Sequence, residues 1–299
     1  MIETIIPARL LPGAVPSTMV APDTHLNMIG PWAMIVIMGP TQIEIDAPLD
    51  LDVRPHPHIN MSLMTYLFDG AVTHRDGLGA HREVSAGEVA WMVAGRGIVH
   101  SERFERLRRE GGRFHGVQAW AALPDDAEET EPSFQHLEVS TLPVISGRRA
   151  RGKLLAGQAY GATSLARTHQ PLFLSYWSVE ADGAAPLPLE HKQRAVHVIS
   201  GRCRLESGDL QTGDTAILTP DVEANVLSNE GCELLMLGGA PMGKRFLWWN
   251  YVSSRLDRIE AAKMDWESRA MSLPSDDCED LIPLPGPNGR PLMTLNAVS

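Results

Sequence analysis

Two pairs of metal-capable side chains lie in one strand-rich stretch of this sequence: His56 with His58, and His100 with Glu102. Residues i and i+2 of a β-strand point to the same face, so each pair can aim two ligands at one point. If the two strands are neighbours, three imidazoles and one carboxylate converge. A lone histidine on a strand is more often a surface or core residue, but two such pairs in one segment are much rarer by chance.

This ligand set suits a borderline divalent metal, because imidazole and carboxylate favour iron, nickel, copper, zinc or manganese over calcium. Four protein ligands would leave one or two positions open for water, dioxygen or a chelating substrate. A structural zinc site is more often closed and rich in cysteine. The spacing therefore predicts an open site for chemistry or sensing, and it leaves the metal undecided.

The residues between the pairs predict the elements that position them. Residues 61–68 and 89–93 are strand-like, and Asp69-Gly70 is a strong turn signal. His74 has no metal ligand of its own two residues away, so we interpret it as a strand-end residue and not as a ligand. A dense run of short strands and glycine turns is typical of an all-β barrel.

The stretch over residues 54–124 closely resembles the pirin family, a branch of the cupin superfamily. The matching residues are His56-Pro57-His58, Thr65-Tyr66-Leu67, Gly70, His74-Arg75-Asp76, Leu78-Gly79, Gly87-Glu88-Val89, Trp91-Met92, Ala94-Gly95-Arg96-Gly97-Ile98-Val99-His100-Ser101-Glu102, His115-Gly116-Val117-Gln118-Ala119-Trp120 and Leu123-Pro124. The resemblance implies two jelly-roll-like cupin barrels with one mononuclear metal, usually Fe(II), in the N-terminal barrel. Matched residue by residue, it makes His56, His58, His100 and Glu102 the metal ligands.

Two short segments depart from the family pattern. Pirins usually have Phe-Asp-His-Met-Gly-Pro where this chain has Val36 and Ile37 in place of the acid and the histidine. After the first ligand pair, Asn60, Met61 and Ser62 stand where the family usually has Arg-Gly-Phe-Glu or Ile-Gly-Leu. Such residues can orient ligands or contact substrate, so these changes could alter metal tuning or activity.

Composition narrows the class of protein. A chain of 299 residues favours two domains, and 43% hydrophobic residues is ample for packed cores. A net charge of −11 argues against direct binding to nucleic acid. Three cysteines, Cys203, Cys232 and Cys278, form no CxxC pair and indicate reduced thiols. No secretory signal and no apolar run of about 20 residues is evident, so we expect a cytoplasmic protein without a membrane span.

We divide the chain into an N-terminal cupin domain with the metal site, residues 1–140, and a C-terminal degenerate cupin domain with a helix and a tail, residues 141–299. A composition shift places the linker near residues 138–155. We expect an irregular segment over residues 1–30.

Within the first domain, residues 32–38 are predicted to form a buried strand that ends at Gly39-Pro40. The basic residues 106–113 and the acidic residues 125–131 are predicted to be solvated surface loops.

The second half repeats the rhythm of strands and glycine turns. His191 and His197 are six residues apart and make no HxH or HxE pair, so we expect no second metal site. The aromatic run over residues 246–251 precedes a predicted helix whose inner face carries Leu256, Ile259 and Trp266. We expect this region to pack on a barrel, although a partner-binding surface is an alternative, and we expect an irregular tail after Ser272.

Three functions are compatible with these observations. Some pirin-like proteins are quercetin 2,3-dioxygenases, so the resemblance implies a flavonol-like substrate, dioxygen and Glu102 as the catalytic base. Animal pirins act as iron-dependent transcription co-regulators, so the second hypothesis is an iron- or redox-responsive regulator that binds a protein partner without turnover. The third is a cupin that folds but makes no use of its metal.

Overall fold

The computed structural model describes residues 2–23, 25, 27–286 and 291–297. Among these residues, the first half of the chain contains thirteen strands and a short α-helix: β1 (Ile2–Ile6), β2 (Arg9–Leu11), β3 (Ser17–Ala21), β4 (Asn27–Met28), β5 (Trp32–Ile43), β6 (Val53–His58), β7 (Met61–Asp69), β8 (Ala71–Asp76), β9 (His81–Ser85), β10 (Val89–Val93), β11 (Ile98–Arg103), α1 (Glu105–Glu110), β12 (Gly112–Ala122) and β13 (Ser133–Leu137).

The second half contains eleven strands and a longer helix: β14 (Val144–Ala159), β15 (Ala162–Thr163), β16 (Leu172–Pro186), β17 (Gln193–Leu205), β18 (Gly208–Gln211), β19 (Thr215–Leu218), β20 (Asn225–Ser228), β21 (Cys232–Gly239), β22 (Arg245–Trp248), β23 (Tyr251–Ser253), α2 (Leu256–Glu267) and β24 (Met293–Ala297). The predicted all-β class with two cupin barrels is confirmed.

The first barrel consists of two facing sheets. The larger has the strand order β13-β10-β7-β12-β5-β3-β2, and the smaller has the order β6-β11-β8-β9. Thr65 on β7 and Gln118 on β12 point into the barrel, while their chain neighbours Tyr66, Val117 and Ala119 pack outward in a shared core with the second barrel. This alternation follows from the two-residue period of a strand.

Apolar side chains close the interior of the first barrel at both ends. One cluster contains Met61, Leu63, Met92 and Trp120, and the other contains Leu67, Val72, Ala90 and Phe114. Thr65 lies between Leu63 and Leu67 on the same inward face of β7. The barrel therefore has a polar level between two apolar ends.

The second barrel is one nine-stranded sheet built mainly from β14 to β21. Its centre is filled by large apolar side chains, among them Phe173, Trp177, Val196 and Leu234. The polar atoms there are paired, since the Trp177 indole donates to Ser175 Oγ at 3.1 Å. A packed centre of this kind leaves little room for a ligand.

Each end of the chain packs on the barrel that the other half builds. Strand β1 pairs with β19 of the second barrel, with Ile2 opposite Leu218. Hairpin β22–β23 and β24 pack on the first barrel, where Leu247 and Leu295 join Met61 in one apolar cluster. The division of the chain at residue 140 stays a prediction.

Two expectations for the first 45 residues were wrong. Residues 1–30 are not an irregular segment, because β1 to β4 find partner strands elsewhere, including β19 and β5. Strand β5 does not end at Gly39-Pro40 but continues to Ile43. The partner strand β12 absorbs the break with a register shift between Phe114 and Gly116, so long-range pairing outweighs the local turn signal.

The charged segments and the linker also differ from expectation. Residues 106–113 are not a loop but largely form helix α1, whose residue Leu107 is buried against the barrel. In the acidic segment 125–131, Glu128 is buried and accepts hydrogen bonds from Ser253 and Ser254. The linker region over residues 138–155 is mostly strand β14, which pairs along its length with β16.

The C-terminal region corrects two details. Ile259 and Trp266 on α2 are buried as expected, but Leu256 is 44% exposed because it is the first residue of the helix. The tail after Ser272 is mainly irregular, yet it contains strand β24, which pairs with β22 and with β4.

Candidate metal centre

The two predicted ligand pairs lie on adjacent strands of the smaller sheet. Strands β6 and β11 pair antiparallel, with His100 opposite His56 and Ile98 opposite His58. The ring centroids of His56 and His100 are 4.5 Å apart, and that of His58 is 4.9 Å from each of them. Among the described residues, the ligand-capable atoms within 4.8 Å of one another belong to these three histidines.

In each of the three rings, Nδ1 lies next to a polar atom of another residue. His56 Nδ1 lies 2.8 Å from the carbonyl oxygen of Arg54, and His58 Nδ1 lies 3.1 Å from that of Asn250. A carbonyl oxygen only accepts, so both Nδ1 atoms carry the hydrogen and both Nε2 atoms present a lone pair. His100 Nδ1 lies 3.5 Å from His74 Nδ1.

The buried Nε2 atoms of His58 and His100 have no hydrogen-bond partner among the described residues. Burial lowers the pKa of His56 to about 4 and lowers the pKa values of His58 and His100 well below their usual range. The three rings are therefore neutral at pH 7. Neutral imidazoles with free, convergent lone pairs are what a divalent metal needs, so these residues fit the implied ion.

Glu102 is buried beside this group but points to the opposite sheet. Its carboxylate oxygens accept hydrogen bonds from Thr65 Oγ1 at 3.1 Å and from Gln118 Nε2 at 2.9 Å. The register of β11 against β6 shifts between His100 and Glu102, so the i, i+2 rule does not fully fix the direction of this side chain. Burial raises the pKa of Glu102, and the two hydrogen bonds oppose that shift. Its role as fourth ligand stays a prediction.

The inner face of β5 forms the apolar wall opposite the ligand strands. Val36 pairs with Gln118 and Met34 with Trp120. Paired residues share a face of a sheet, so Val36 and Met34 face the barrel interior. Both are partly exposed, as is Met38 two residues further on, whereas the alternate residues of β5 are buried against the second barrel. These three side chains are therefore the partly exposed part of the apolar wall.

The remaining departures from the family pattern lie in the core between the barrels and at the start of β7. Ile37 packs in the core between the barrels. Asn60 has a φ of 56° and its amide donates to the carbonyl oxygens of Gly95 and Glu128, so it shapes the turn between β6 and β7. Met61 and Ser62 are buried at the start of β7.

His74 was misjudged from the sequence. His74 is not a strand-end residue but lies buried within β8, stacked on Phe134 with ring centroids 4.1 Å apart. Its Nε2 is 3.0 Å from Asp76 Oδ2. The two residues stand at the i, i+2 spacing that marked the ligand pairs, and this signal could have revealed them.

A segment near the C-terminus fastens the ligand strands from outside. Asp277 accepts hydrogen bonds from Ser101 Oγ at 2.6 Å and from Arg103 Nε at 2.8 Å. Asp280 pairs with Arg54 at 2.6 Å. We call residues 276–282 the acidic strap. It holds β6 and β11 together on the face opposite the histidine rings.

Comparison with known proteins places the chain in a family. The family model Pirin matches residues 14–121, and the model of the Pirin C-terminal cupin domain matches residues 175–272. The chain belongs to the pirin family. A pirin-like protein from Caulobacter vibrioides is 44% identical to it over 260 residues, which span 87% of this chain and 90% of that protein.

Other pirin relatives carry the name of an activity. A Pseudomonas aeruginosa protein provisionally named a quercetin 2,3-dioxygenase is 30% identical over 258 residues, 85% of this chain and 80% of that protein. A crystal structure of quercetin 2,3-dioxygenase from Acinetobacter baumannii matches with a TM-score of 0.87 and 25% identity over 97% of both chains. A bacterial pirin from Escherichia coli in complex with nickel(II) has the same fold, with a TM-score of 0.61 and 20% identity over 81% of this chain and 99% of that one.

The second barrel of this pirin uses its histidines differently. His191 Nε2 bonds to the carbonyl oxygen of Gln158, and its ring stacks on Phe173. His197 Nδ1 bonds to Thr215 Oγ1 at 2.9 Å.

None of the described helices is long and apolar enough to cross a membrane.

Proposed function

We propose that this pirin is a metal-dependent dioxygenase that opens the ring of a flavonol-like substrate, with His56, His58, His100 and Glu102 as the metal ligands. The observation that carries the proposal is the set of three imidazoles whose ligand-capable nitrogens lie within 4.8 Å of one another, with the Nε2 atoms of His58 and His100 buried and free of hydrogen bonds to the described residues. The relatives named as quercetin 2,3-dioxygenases support the reaction class.

Fe(II) is the metal we propose, and nickel, copper, manganese or zinc would accept the same ligands. When bound, the ion supplies Lewis acidity and redox chemistry with dioxygen. The nickel(II) complex of the Escherichia coli relative supports the binding of a divalent ion by this fold. We place the protein in the cytoplasm, which is consistent with free thiols at Cys203, Cys232 and Cys278.

Glu102 is the group we propose to take the proton from a substrate hydroxyl. Thr65 and Gln118 each donate to one of its oxygens, so the carboxylate is held in place and its lone pairs stay directed. A positioned base within reach of the reacting hydroxyl contributes about 10²–10⁴-fold to the rate. Glu102 would act as the base either before it becomes a metal ligand or when it gives up that position.

The wall on β5 suits the flat body of an aromatic substrate. Met34, Val36 and Met38 line the route into the barrel, and thioether and aliphatic groups pack against rings without adding charge. Val36 stands where the family usually has an acid, so this chain lacks a second carboxylate beside Gln118. We infer that an uncharged aromatic chelator fits this pirin better than a small anionic one does.

The test is to load the anaerobic protein with Fe(II) or Ni(II), admit air and follow the absorbance of a flavonol together with oxygen consumption. The proposal predicts turnover with one dioxygen consumed per flavonol, and loss of turnover in His58→Ala. Metal binding without turnover would support the alternative, an iron- or redox-responsive regulator that binds a protein partner.

A further inference from the structure

Two polar side chains stand behind His100 on the neighbouring strand β8. Strands β8 and β11 pair with Asp76 opposite His100 and His74 opposite Glu102. Asp76, His74 and His100 form a chain, with 3.0 Å from Asp76 Oδ2 to His74 Nε2 and 3.5 Å from His74 Nδ1 to His100 Nδ1. All three side chains are buried, and Phe134 stacks on His74 and fixes the plane of its ring.

The direction of the hydrogen bonds in this chain follows from its outer end. Asp76 Oδ1 accepts from the backbone N–H groups of Leu78 and Ala80, and a carboxylate has only acceptors to offer. His74 Nε2 therefore donates to Asp76 Oδ2, and a ring that carries this single N–H has Nδ1 as an acceptor. His100 Nδ1 then donates to it, and His100 Nε2 keeps a free lone pair.

His100 differs from the other two histidines in this respect. The partners of His56 and His58 are backbone carbonyl oxygens, which are hydrogen-bond acceptors in every residue, whatever its side chain. The partner of His100 is an imidazole nitrogen, which can donate or accept depending on its own tautomer. The form of His100 is thus decided by a side chain two hydrogen bonds away, and it can be changed by mutation.

We propose that Asp76 and His74 are positioning residues that set the tautomer of His100 and keep its Nε2 available for the metal. The inference rests on the proposed metal centre for its purpose, but the tautomer itself is a property of the metal-free protein. Outer hydrogen-bond partners of this kind typically change metal affinity 10–100-fold when they are removed.

The test compares Asp76→Asn with Asp76→Ala. In Asp76→Asn, the amide oxygen is drawn to the two backbone N–H groups and the amide nitrogen faces His74. That nitrogen donates, so the chain reverses, His74 donates to His100 and the hydrogen moves to His100 Nε2. In Asp76→Ala, the turn at Leu78 and Ala80 loses its acceptor, but nothing forces the reversal.

We expect Asp76→Asn to bind Co(II) 10–100-fold more weakly than the wild type in competition with a chromophoric chelator. We expect Asp76→Ala to bind more tightly than Asp76→Asn although its thermal unfolding midpoint is lower. Long-range ¹H–¹⁵N NMR of the metal-free proteins should show hydrogen on His100 Nδ1 in the wild type and on Nε2 in Asp76→Asn.

Unchanged affinity in Asp76→Asn, or affinities that simply follow the unfolding midpoints, would overturn the inference. So would an Nδ1-bound hydrogen on His100 in both proteins. A wild type that binds no metal but shows the expected tautomers would overturn the metal centre and leave the positioning roles of Asp76 and His74 standing.

Discussion

The first barrel of this pirin has a polar level between two apolar ends, whereas the second barrel is filled at its centre by Phe173, Trp177 and their neighbours. Histidines occur inside both. In the first they turn free nitrogens toward one another, and in the second His197 is bound to Thr215 within apolar packing. The same fold thus supports a site or a packed core, depending on a few inward side chains.

The largest contrast concerns two carboxylates, the buried Glu102 in the first barrel and the half-buried Glu233 in the second. Glu102→Gln should lower the rate of flavonol consumption by about 10²–10⁴-fold, because it removes the proposed base and ligand. Glu233→Gln is the matched control, since Glu233 accepts hydrogen bonds from Tyr176 and Ser200 on strands of the second barrel. Steady-state kinetics on the metal-loaded proteins measures the rate of each variant. Equal losses of rate in the two variants would contradict a special role for Glu102.

Truncation of one side chain should lower the free energy of unfolding more in the second barrel than in the first. Phe173→Ala leaves a cavity in packed surroundings and should cost about 3–5 kcal/mol in the free energy of unfolding. Val36→Ala truncates a partly exposed side chain on the wall of the first barrel and should cost less than about 1 kcal/mol, because few contacts are lost. Chemical denaturation gives both values. Similar costs would mean that the first barrel is as tightly packed as the second.

The packed histidine of the second barrel makes stability depend on pH. Burial lowers the pKa of His197 from 6.5 to about 4, so between these values the unfolded chain binds a proton that the folded chain does not. Its contribution is full above pH 6.5 and is lost as pH falls to about 4, amounting to about 3 kcal/mol. In His197→Gln the decline over this window should be shallower than in the wild type. Identical slopes would contradict the assignment.

The smallest expected effect concerns the acidic strap, which supports the ligand strands of the first barrel. Asp277→Asn weakens the contacts with Ser101 and Arg103 and should cost about 1–2 kcal/mol of stability. Asp280→Asn removes an exposed ion pair with Arg54 and should cost less than about 0.5 kcal/mol. Denaturation midpoints compare the two variants, and an equal effect would show that the strap gives no specific support.

The three histidines could be predicted from the sequence because the i, i+2 rule is local and the two strands proved to be neighbours. The direction of Glu102 could not, because a register shift in β11 and donors on the facing sheet decide it. The support of His58 by Asn250 comes from 192 residues further along the chain. Nothing near His58 in the sequence signals such a contact.

The same limit explains the errors at the fold level. The glycine and proline within β5 are a strong local stop signal, yet pairing of Thr41, Gln42 and Ile43 with β12 carries the strand past them. Strand β1 could not be found because its partner, β19, lies some two hundred residues away. A local sequence pattern predicts a strand when residues nearby in the sequence pair with it and bury it. The pattern fails when the partner strand comes from a distant part of the chain.

Metal content of the purified protein after anaerobic Fe(II) reconstitution tests the central claim most directly. The account predicts about one metal ion per chain in the wild type and in His197→Gln, and none in a His56→Ala/His100→Ala variant. A wild type without metal, or a double variant that keeps its metal, would contradict the assignment of the site to the first barrel.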